Sequence, residues 1–339
     1  MGFFGTQFQV DKKVGVISGA SQGLGLALAK QLFAKGASLI IISRSETKLK
    51  NAKKQILSCT KVHEDQFVEY LAADLIDYQA ASKIIPLLDR LGVDKPDFLF
   101  CCAGAAHPQY FLNMTNKDLD FGMDTNYKTC VNLVELLAKR MIDTTPPEDG
   151  GILSDLKITA GIGNNRPIRH IALFSSEVAF YNFLGYAEYG PAKAAIKAFG
   201  DSIRHELKPY CVKVHVVFPG NFESEGYEVE NRLKPAACKD IEGSSKPISV
   251  DRCAELVIKG IDHGELYIHT DLIGWVLNSF SLGFNPRNWG LFQVIVALVG
   301  AIVGGLIDFF HQVLIQGYFR KEGGFIRNNN IKQDENKSD

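Results

Sequence analysis

The chain has little of what marks several classes of protein. Its 37 basic and 38 acidic residues leave a formal net charge of -1, so no overall positive field favours nucleic acid. The seven cysteines include no Cys-x-x-Cys pair, which predicts reduced thiols in a cytosol-like compartment. The eight histidines lack the spacing of metal ligands, so we predict no metal site. Residues 1–10 lack the apolar stretch of a secretory signal, and no internal repeat is present.

A tyrosine and a lysine stand one helical turn apart at Tyr189 and Lys193. On a helix this spacing puts both side chains on one face, where an ammonium group can lower the pKa of a phenol. Ser176 follows an apolar run upstream, so it can reach the same point from the end of a strand. Together they would supply a proton donor, its activator and an orienting group. The alternative interpretation is an ordinary surface helix, on which an exposed tyrosine and an exposed lysine have this spacing by chance.

A glycine-rich loop lies between a predicted strand over 14–18 and a predicted helix over 26–35. Glycines let the backbone approach a pyrophosphate, and the new helix points its free N–H groups at it. This context predicts a dinucleotide site. Its candidate residues are Gly19, Ser21, Gln22, Gly23, Leu24 and Gly25.

The second predicted strand, over 38–42, ends near an arginine. An acidic residue at this place binds the ribose 2′-hydroxyl of NAD, whereas an arginine accommodates the 2′-phosphate of NADP. Arg44 therefore favours NADPH, and the alternative is a solvated arginine at the start of a helix. The neighbouring candidates are Ser43, Ser45 and Lys48.

Predicted strands and helices alternate through the first half of the chain. Apolar runs at 67–72 and 97–101 are typical of buried strands, and helical stretches over 46–58, 78–91 and 117–141 separate them. This alternation predicts an α/β fold, a Rossmann-like doubly wound parallel sheet with helices on both faces. Ligands bind at the carboxyl edge of such a sheet. Further candidates at this edge are Asp74, Leu75, Ala103 and Gly104.

With these motifs in this order, the chain resembles the short-chain dehydrogenase/reductase family over residues 12–270. The resemblance implies that Asp74 contacts adenine and that Pro219 and Gly220 bracket the nicotinamide. Cys102 stands where the family usually has asparagine, and the threonine that often follows the Pro-Gly pair is absent.

The resemblance also implies four catalytic residues, which are Asn126, Ser176, Tyr189 and Lys193. Ser175 is adjacent to the chosen serine, but Ser176 has the family's usual spacing. Tyr186 is a second phenol, but it is farther from the lysine than the spacing requires. Asn126 would hold a water against the lysine or satisfy backbone groups in a bent helix.

The same resemblance implies a mechanism for ketone reduction. NADPH gives a hydride to the carbonyl carbon, Tyr189 protonates the developing alkoxide, and Ser176 hydrogen-bonds its oxygen. Lys193 lowers the pKa of Tyr189 and holds the nicotinamide ribose, so both residues also belong to the cofactor site.

We predict a catalytic domain over 1–270 that carries two irregular segments. The segment 143–169 is too long for a usual connection and is interpreted as an insertion. The polar, irregular segment 221–248 would cover the substrate. The alternative is a surface loop with no role in substrate binding.

An apolar C-terminal segment follows, with a membrane-associated region over 271–320 and a polar tail over 321–339. Residues 288–307 carry no charge and would form a helix about 30 Å long, enough to cross a bilayer. Trp289 and Tyr318 are candidate interface anchors, and Gly300 and Gly304 permit close helix packing. A full span is favoured, and a helix lying on the surface or buried in a dimer interface stays open.

Membrane attachment implies a lipid-soluble ketone as substrate. The chain is most similar to family members that reduce a long-chain 3-keto sphingoid base to sphinganine at the endoplasmic reticulum membrane, with the catalytic domain facing the cytosol. Two alternatives remain: a membrane-attached reductase of a steroid, retinoid or acyl ketone, and an inactive nucleotide-binding scaffold. Assembly as a homo-oligomer is open for each of these functions.

Overall fold

A computed structural model of the chain describes residues 8–142, 167–243, 246–288 and 290–325. Most of the predicted insertion at 143–169, most of the polar tail and the candidate anchor Trp289 lie outside the described residues.

Seven parallel strands form one sheet in the order β3-β2-β1-β4-β5-β6-β7. The strands read as nearly continuous apolar runs because helices cover both faces of the sheet. The predicted doubly wound fold is confirmed. The strands are β1 Val14–Ser18, β2 Ser38–Ser43, β3 Val68–Ala72, β4 Phe98–Cys101, β5 Arg169–Phe174, β6 Val212–Phe218 and β7 Tyr267–His269.

The helices are α1 Gly23–Ala34, α2 Glu46–Ser58, α3 Tyr78–Ser82, α4 Ile84–Arg90, α5 Asn116–Met123, α6 Thr129–Met141, α7 Tyr189–Leu207, α8 Glu225–Leu233, α9 Ala236–Glu242, α10 Val250–Asp262, α11 Leu272–Phe280 and α12 Gly290–Glu322. Alternate strand residues divide the core between the two faces, because successive side chains point to opposite sides. Ile17 and Phe100 pack with α1, α2 and α10. Val16 and Leu99 pack with α4, α6 and α7.

Two helices that the sequence predicts as continuous are interrupted. The helix predicted over 78–91 divides at Lys83, because Pro86 lacks an amide hydrogen and its ring would clash with the carbonyl of Ser82. The helix predicted over 117–141 contains a π-helical turn at Asp124–Lys128. Such turns often occur at functional sites.

The segment 221–248, predicted to be irregular, contains the helices α8 and α9 instead. The Ser224 hydroxyl caps α8 by accepting a hydrogen bond from the Tyr227 amide at 3.1 Å. Lys234 then adopts an extended backbone before Pro235, which ends α8 and allows α9 to begin. Charge along this segment therefore marks solvated helix faces rather than a loop.

Among the described residues, one helix, α12, is long and apolar enough to cross a membrane. It continues well beyond the apolar run predicted over 288–307, and only 11% of its most apolar stretch is buried within the protein. The helix is consistent with membrane association.

Candidate active site

A cavity of about 1150 Å³ opens at the carboxyl edge of the sheet. It exceeds the usual volume for one drug-sized ligand, which is roughly 300–1,000 Å³. Every residue that the sequence predicts to bind the cofactor lines this cavity, as does Ser176. The carboxyl ends of parallel strands therefore bring the separate motifs to one place.

The glycine loop after β1 is shaped for close backbone approach. Gly19 has a φ of +68°, and a Cβ atom on it would lie 2.8 Å from the Ala103 nitrogen. Gln22 precedes α1 and makes no side-chain hydrogen bond to that helix. The first N–H groups of α1 therefore lack a side-chain cap beside the cavity, an arrangement that suits an anionic ligand.

Four polar residues lie at or just after the end of β2, at the same end of the cavity. Ser45 caps α2, and the Lys48 ammonium donates to Gln22 Oε1 at 2.5 Å and pairs with Glu225 at 3.3 Å. Arg44 is exposed and lines the cavity, as does Ser43. Two positive side chains thus lie where the second strand ends, beside the glycine loop.

The predicted proton-transfer residues meet at the start of α7. Tyr189 is the first residue of this helix, and the Lys193 Nζ atom lies 5.4 Å from the centre of its ring. Lys193 Nζ donates to the Phe174 carbonyl at 2.8 Å. Ser176 follows β5, and its hydroxyl lies near enough to the Tyr189 phenol to lower the pKa of that phenol. The geometry brings a phenol, an ammonium group and a hydroxyl together.

Burial is the largest influence on the pKa of both Tyr189 and Lys193. Burial raises the pKa of Tyr189 above its ordinary value, the Glu230 carboxylate adds to this, and the Ser176 hydroxyl opposes it. Burial also lowers the pKa of Lys193 to about 8. The phenol therefore carries its proton at neutral pH, and the lowering of its pKa by Lys193 stays a prediction.

The structure separates each preferred residue from its neighbour. The Ser175 hydroxyl is buried and donates to the Lys193 carbonyl at 2.7 Å. The Tyr186 hydroxyl donates to the Glu230 carboxylate. Both alternatives are thus engaged in contacts within the protein, which favours Ser176 and Tyr189 as the reactive pair.

Asn126 lies in the π-helical turn and is 1% exposed. Its Oδ1 atom accepts from the Ala105 amide at 3.1 Å, and its Nδ2 atom donates to the Ala105 carbonyl at 2.9 Å and the Gly122 carbonyl at 3.0 Å. A Cβ atom on Gly104 would lie 2.7 Å from Asn126 Oδ1 and 3.1 Å from Lys193 Nζ. Asn126 therefore orders the loop after β4 beside the lysine.

Comparison with known proteins identifies this arrangement. The model of the short chain dehydrogenase family matches residues 13–154 and 166–233. The chain belongs to this family.

Curated relatives of this dehydrogenase share one activity in their names. The 3-ketodihydrosphingosine reductase TSC10 of Debaryomyces hansenii is 38% identical over 310 residues, which cover 91% of this chain and 89% of that protein. The 3-ketodihydrosphingosine reductase TSC10 of Saccharomyces cerevisiae is 31% identical over 335 residues, which cover 93% of this chain and 96% of that protein.

Solved structures support the fold. A short chain dehydrogenase/reductase from Burkholderia phymatum in complex with NAD has a TM-score of 0.63 and 17% identity, and the match covers 83% of this chain and 98% of that one. A short-chain dehydrogenase from Sphingobium yanoikuyae in complex with NADPH has a TM-score of 0.60 and 21% identity, covering 77% of this chain and 89% of that one.

Sequence reasoning missed an acidic wall of the dehydrogenase cavity, formed by Glu177, Glu230 and Glu242. Lys234, which is 5% exposed, lies 3.2 Å from Glu230 and 2.6 Å from Glu242. The four-residue spacing of Glu230 and Lys234 could have indicated this pair once a helix was recognised there. One cation between two carboxylates leaves this wall negative.

Glu177 directly follows Ser176 and faces a second carboxyl group. Burial raises the pKa of Glu177 to about 9, and a hydrogen bond with Asp271 adds to this effect. A Cβ atom on Gly220 would lie 2.1 Å from Asp271 Oδ2 and 2.9 Å from Glu177 Oε1. The two carboxyl groups therefore meet beside Gly220, the position where the resemblance places the nicotinamide.

The far end of the cavity is apolar and is built from the C-terminal helices. Ile273, Leu277 and Phe280 contribute from α11, and Gly300, Gly304 and Ile307 contribute from α12. A ligand in this cavity would therefore meet charged groups at one end and hydrocarbon at the other.

Proposed function

We propose that the protein reduces 3-ketodihydrosphingosine to dihydrosphingosine with NADPH, as a step of sphingolipid biosynthesis. The observation that carries the proposal is the extended likeness to curated reductases of this ketone, over about nine-tenths of the chain. The convergence of Ser176, Tyr189 and Lys193 on one cavity supports a ketone reductase.

Proton transfer from Tyr189 completes the reduction. When bound, NADPH supplies the hydride that adds to the carbonyl carbon. Ser176 donates a hydrogen bond to the carbonyl oxygen, and Tyr189 transfers its proton to that oxygen as negative charge develops there. The raised pKa of Tyr189 keeps the proton on the phenol until this charge forms. Lys193 then stabilises the tyrosinate across the 5.4 Å that separates it from the ring.

Several features of the cavity fit a phosphorylated dinucleotide. The uncapped start of α1 suits the pyrophosphate, and Asp74 lies at the edge where the resemblance places adenine. Arg44 and Lys48 together suit a 2′-phosphate, which NADPH carries and NADH lacks. We therefore propose that these two residues select NADPH.

The polarity of the cavity favours an amino ketone over the alternative substrates. 3-Ketodihydrosphingosine carries an amine beside its ketone, followed by a long alkyl chain. Glu177, which adjoins Ser176, is protonated at neutral pH in the free site because its pKa is raised to about 9. The ammonium group of the substrate would favour its ionised form and pair with it, and the α11 and α12 side chains would contact the alkyl chain. Steroid, retinoid and acyl ketones have no amine to satisfy the acidic wall.

We further propose that the enzyme acts at the endoplasmic reticulum membrane with its catalytic domain facing the cytosol. The exposed apolar side chains of α12 support membrane attachment. None of the seven cysteines forms a disulfide, which suits a reducing compartment.

A panel of ketones tests the proposal. Purified enzyme is assayed with NADPH and with NADH on 3-ketodihydrosphingosine, an amine-free long-chain ketone and a steroid ketone. The amino ketone with NADPH should give the highest kcat/KM. A preference for the steroid would contradict the substrate, equal use of NADH would contradict the role of Arg44, and nucleotide binding without turnover would indicate a scaffold.

A further inference from the structure

The long helix α12 packs along its length first against α11 and then against the catalytic domain, and α11 is itself held to that domain where Gly274 approaches Glu177 and Asn278 contacts His269. Near its start, Phe292 stacks on Trp275 with 6.0 Å between ring centres. In the middle, a Cβ atom on Gly300 would lie 2.3 Å from the Phe280 ring, and His311 hydrogen-bonds the Tyr181 hydroxyl. Contacts nearer its end join Tyr318 to Asp240 and Glu322 to Tyr110.

These contacts leave no length of helix free to cross a bilayer. A crossing needs about 20 residues, or about 30 Å, in contact with hydrocarbon. The interval between Gly300 and His311 spans only about 16 Å, and the other intervals along α12 are shorter. A perpendicular crossing would draw charged parts of the catalytic domain into the bilayer, at a high cost in desolvation.

The two sides of α12 differ in polarity: the side that faces the domain carries polar residues, and the outer side is apolar, as expected of a helix that lies on a membrane surface. Gln293 is fully buried toward the domain and accepts a hydrogen bond from the Asn288 amide at 3.1 Å. His311 faces the domain as well, through its bond to Tyr181. Large apolar side chains cover the outer face, each at least half exposed: Leu291, Phe292, Ile295, Leu298, Val299, Ile302, Leu306, Phe309, Phe310 and Val313.

Basic residues lie near both ends of this outer face. Arg287 precedes α12, and Arg320 and Lys321 lie in its last turn, all of them exposed. Positive charge flanking an apolar helix face complements anionic phospholipid headgroups. Exposed Leu272 on the neighbouring helix α11 adds further apolar surface. This charge pattern favours a bilayer over a second copy of the chain as the partner of the face.

The inner face of α12 forms a wall of the substrate cavity. Gly300, Gly304, Ile307 and His311 line it, and this spacing places them on one side of a helix. A Cβ atom built on Gly304 would have no atom within 4 Å, so the helix leaves open space there. The same helix thus borders the cavity on one side and presents apolar side chains on the other.

We propose that α12 lies along the membrane surface, with its outer face in a phospholipid bilayer and its inner face roofing the cavity, so that the lipid ketone enters beside Gly304. The placement of the helix rests on its contacts with the domain. The path of the ketone rests on the proposed function.

The position of the C-terminus tests the placement of the helix. In sealed microsomes that carry the full chain with a C-terminal epitope tag, added protease should remove the tag and digest the catalytic domain together. A tag protected inside the vesicle, on the opposite side from the digested domain, would overturn the proposal.

Vesicle flotation tests the outer face independently of catalysis. The protein should float with phosphatidylcholine vesicles that contain phosphatidylserine, and Leu298→Lys with Ile302→Lys should weaken binding about tenfold or more. Gln312→Lys, at an exposed position outside the apolar face, is the matched control and should bind as the unaltered protein does. If the double variant still floats but changes from dimer to monomer in light scattering, the face joins two copies and the proposal fails.

Two adjacent glycines test the roof. Both Gly304 and Gly305 have open space at Cβ, but only Gly304 lines the cavity. Gly304→Trp should lower the ratio of kcat/KM for a long-chain over a short-chain amino ketone about tenfold, whereas Gly305→Trp should change it less than about twofold. If the two variants change this ratio equally, the proposal that α12 roofs the cavity at Gly304 is wrong. If the unaltered enzyme reduces neither ketone, the proposed function fails, while flotation and tag digestion still report on the helix.

Discussion

Removing one hydroxyl group from Tyr189 should abolish most of the reduction while leaving the site assembled. Tyr189→Phe keeps the ring, which packs 5.8 Å from the Tyr186 ring and 5.4 Å from Lys193 Nζ, measured from ring centres. Only the proton donor is lost. General acid catalysis is worth about 10²–10⁴-fold in rate, so kcat should fall by about that factor.

Tyr186→Phe is the matched control, because it removes a hydroxyl from the neighbouring phenol on the same cavity wall. That hydroxyl donates to Glu230, which keeps its ion pair with Lys234 at 3.2 Å. The free energy of unfolding should fall by about 1 kcal/mol, and kcat should stay within about tenfold of the original value.

Three measurements on both variants distinguish the roles of the two tyrosines. Steady-state turnover of 3-ketodihydrosphingosine gives kcat, fluorescence titration gives the Kd for NADPH, and NADPH deuterated at the transferred position reports on the hydride step. Tyr189→Phe should bind NADPH within about threefold of the original Kd and show a full isotope effect, because chemistry then limits turnover. Near-normal kcat in Tyr189→Phe, or an equal loss in Tyr186→Phe, would refute the assignment of the proton donor.

Three further variants probe other parts of the molecule. Arg44→Ala should raise the Kd for NADPH about tenfold more than the Kd for NADH, because it removes a charged partner of the 2′-phosphate; parallel weakening in titrations would contradict this. Glu177→Gln should lower the ratio of kcat/KM for the amino ketone over an amine-free ketone about tenfold, and an unchanged ratio would remove Glu177 from ammonium binding. Burial lowers the pKa of His215 from 6.5 to about 4, so the unfolded chain binds a proton that the folded chain does not. The free energy of unfolding should therefore fall as pH decreases from about 6.5 to about 4, by up to about 3 kcal/mol from this group, and His215→Gln should lose less in denaturant titrations over that window.

Local signals in the sequence were sufficient for much of the sheet. Strands such as β2 and β4 are apolar runs whose predicted ends differ from the observed ones by a residue, because burial on both faces leaves no polar alternation within them. The density of charged residues over 221–248 predicted the secondary structure less well, because α8 and α9 expose polar faces to solvent and so resemble a loop in composition.

Some parts of the candidate site were likewise predictable from local sequence, and others were not. Tyr189 and Lys193 were identified by a spacing within one helix, and the glycine loop by its flanking strand and helix. The meeting of Glu177 with Asp271 joins residues far apart in the chain, and no pattern around either one indicates it. The raised pKa of Tyr189 likewise depends on burial that the local sequence does not report.

The amino-acid sequence by itself determined the parallel sheet, the dinucleotide loop, the tyrosine–lysine pair and the apolar character of the C-terminal helix, because each depends on residues close together in the chain. Only the tertiary structure decided that α12 packs against α11 and the catalytic domain, with Gly300 on Phe280 and His311 on Tyr181. An apolar run has the same composition whether it crosses a bilayer or lies beside a cavity. Which face it buries depends on side chains contributed by distant parts of the chain.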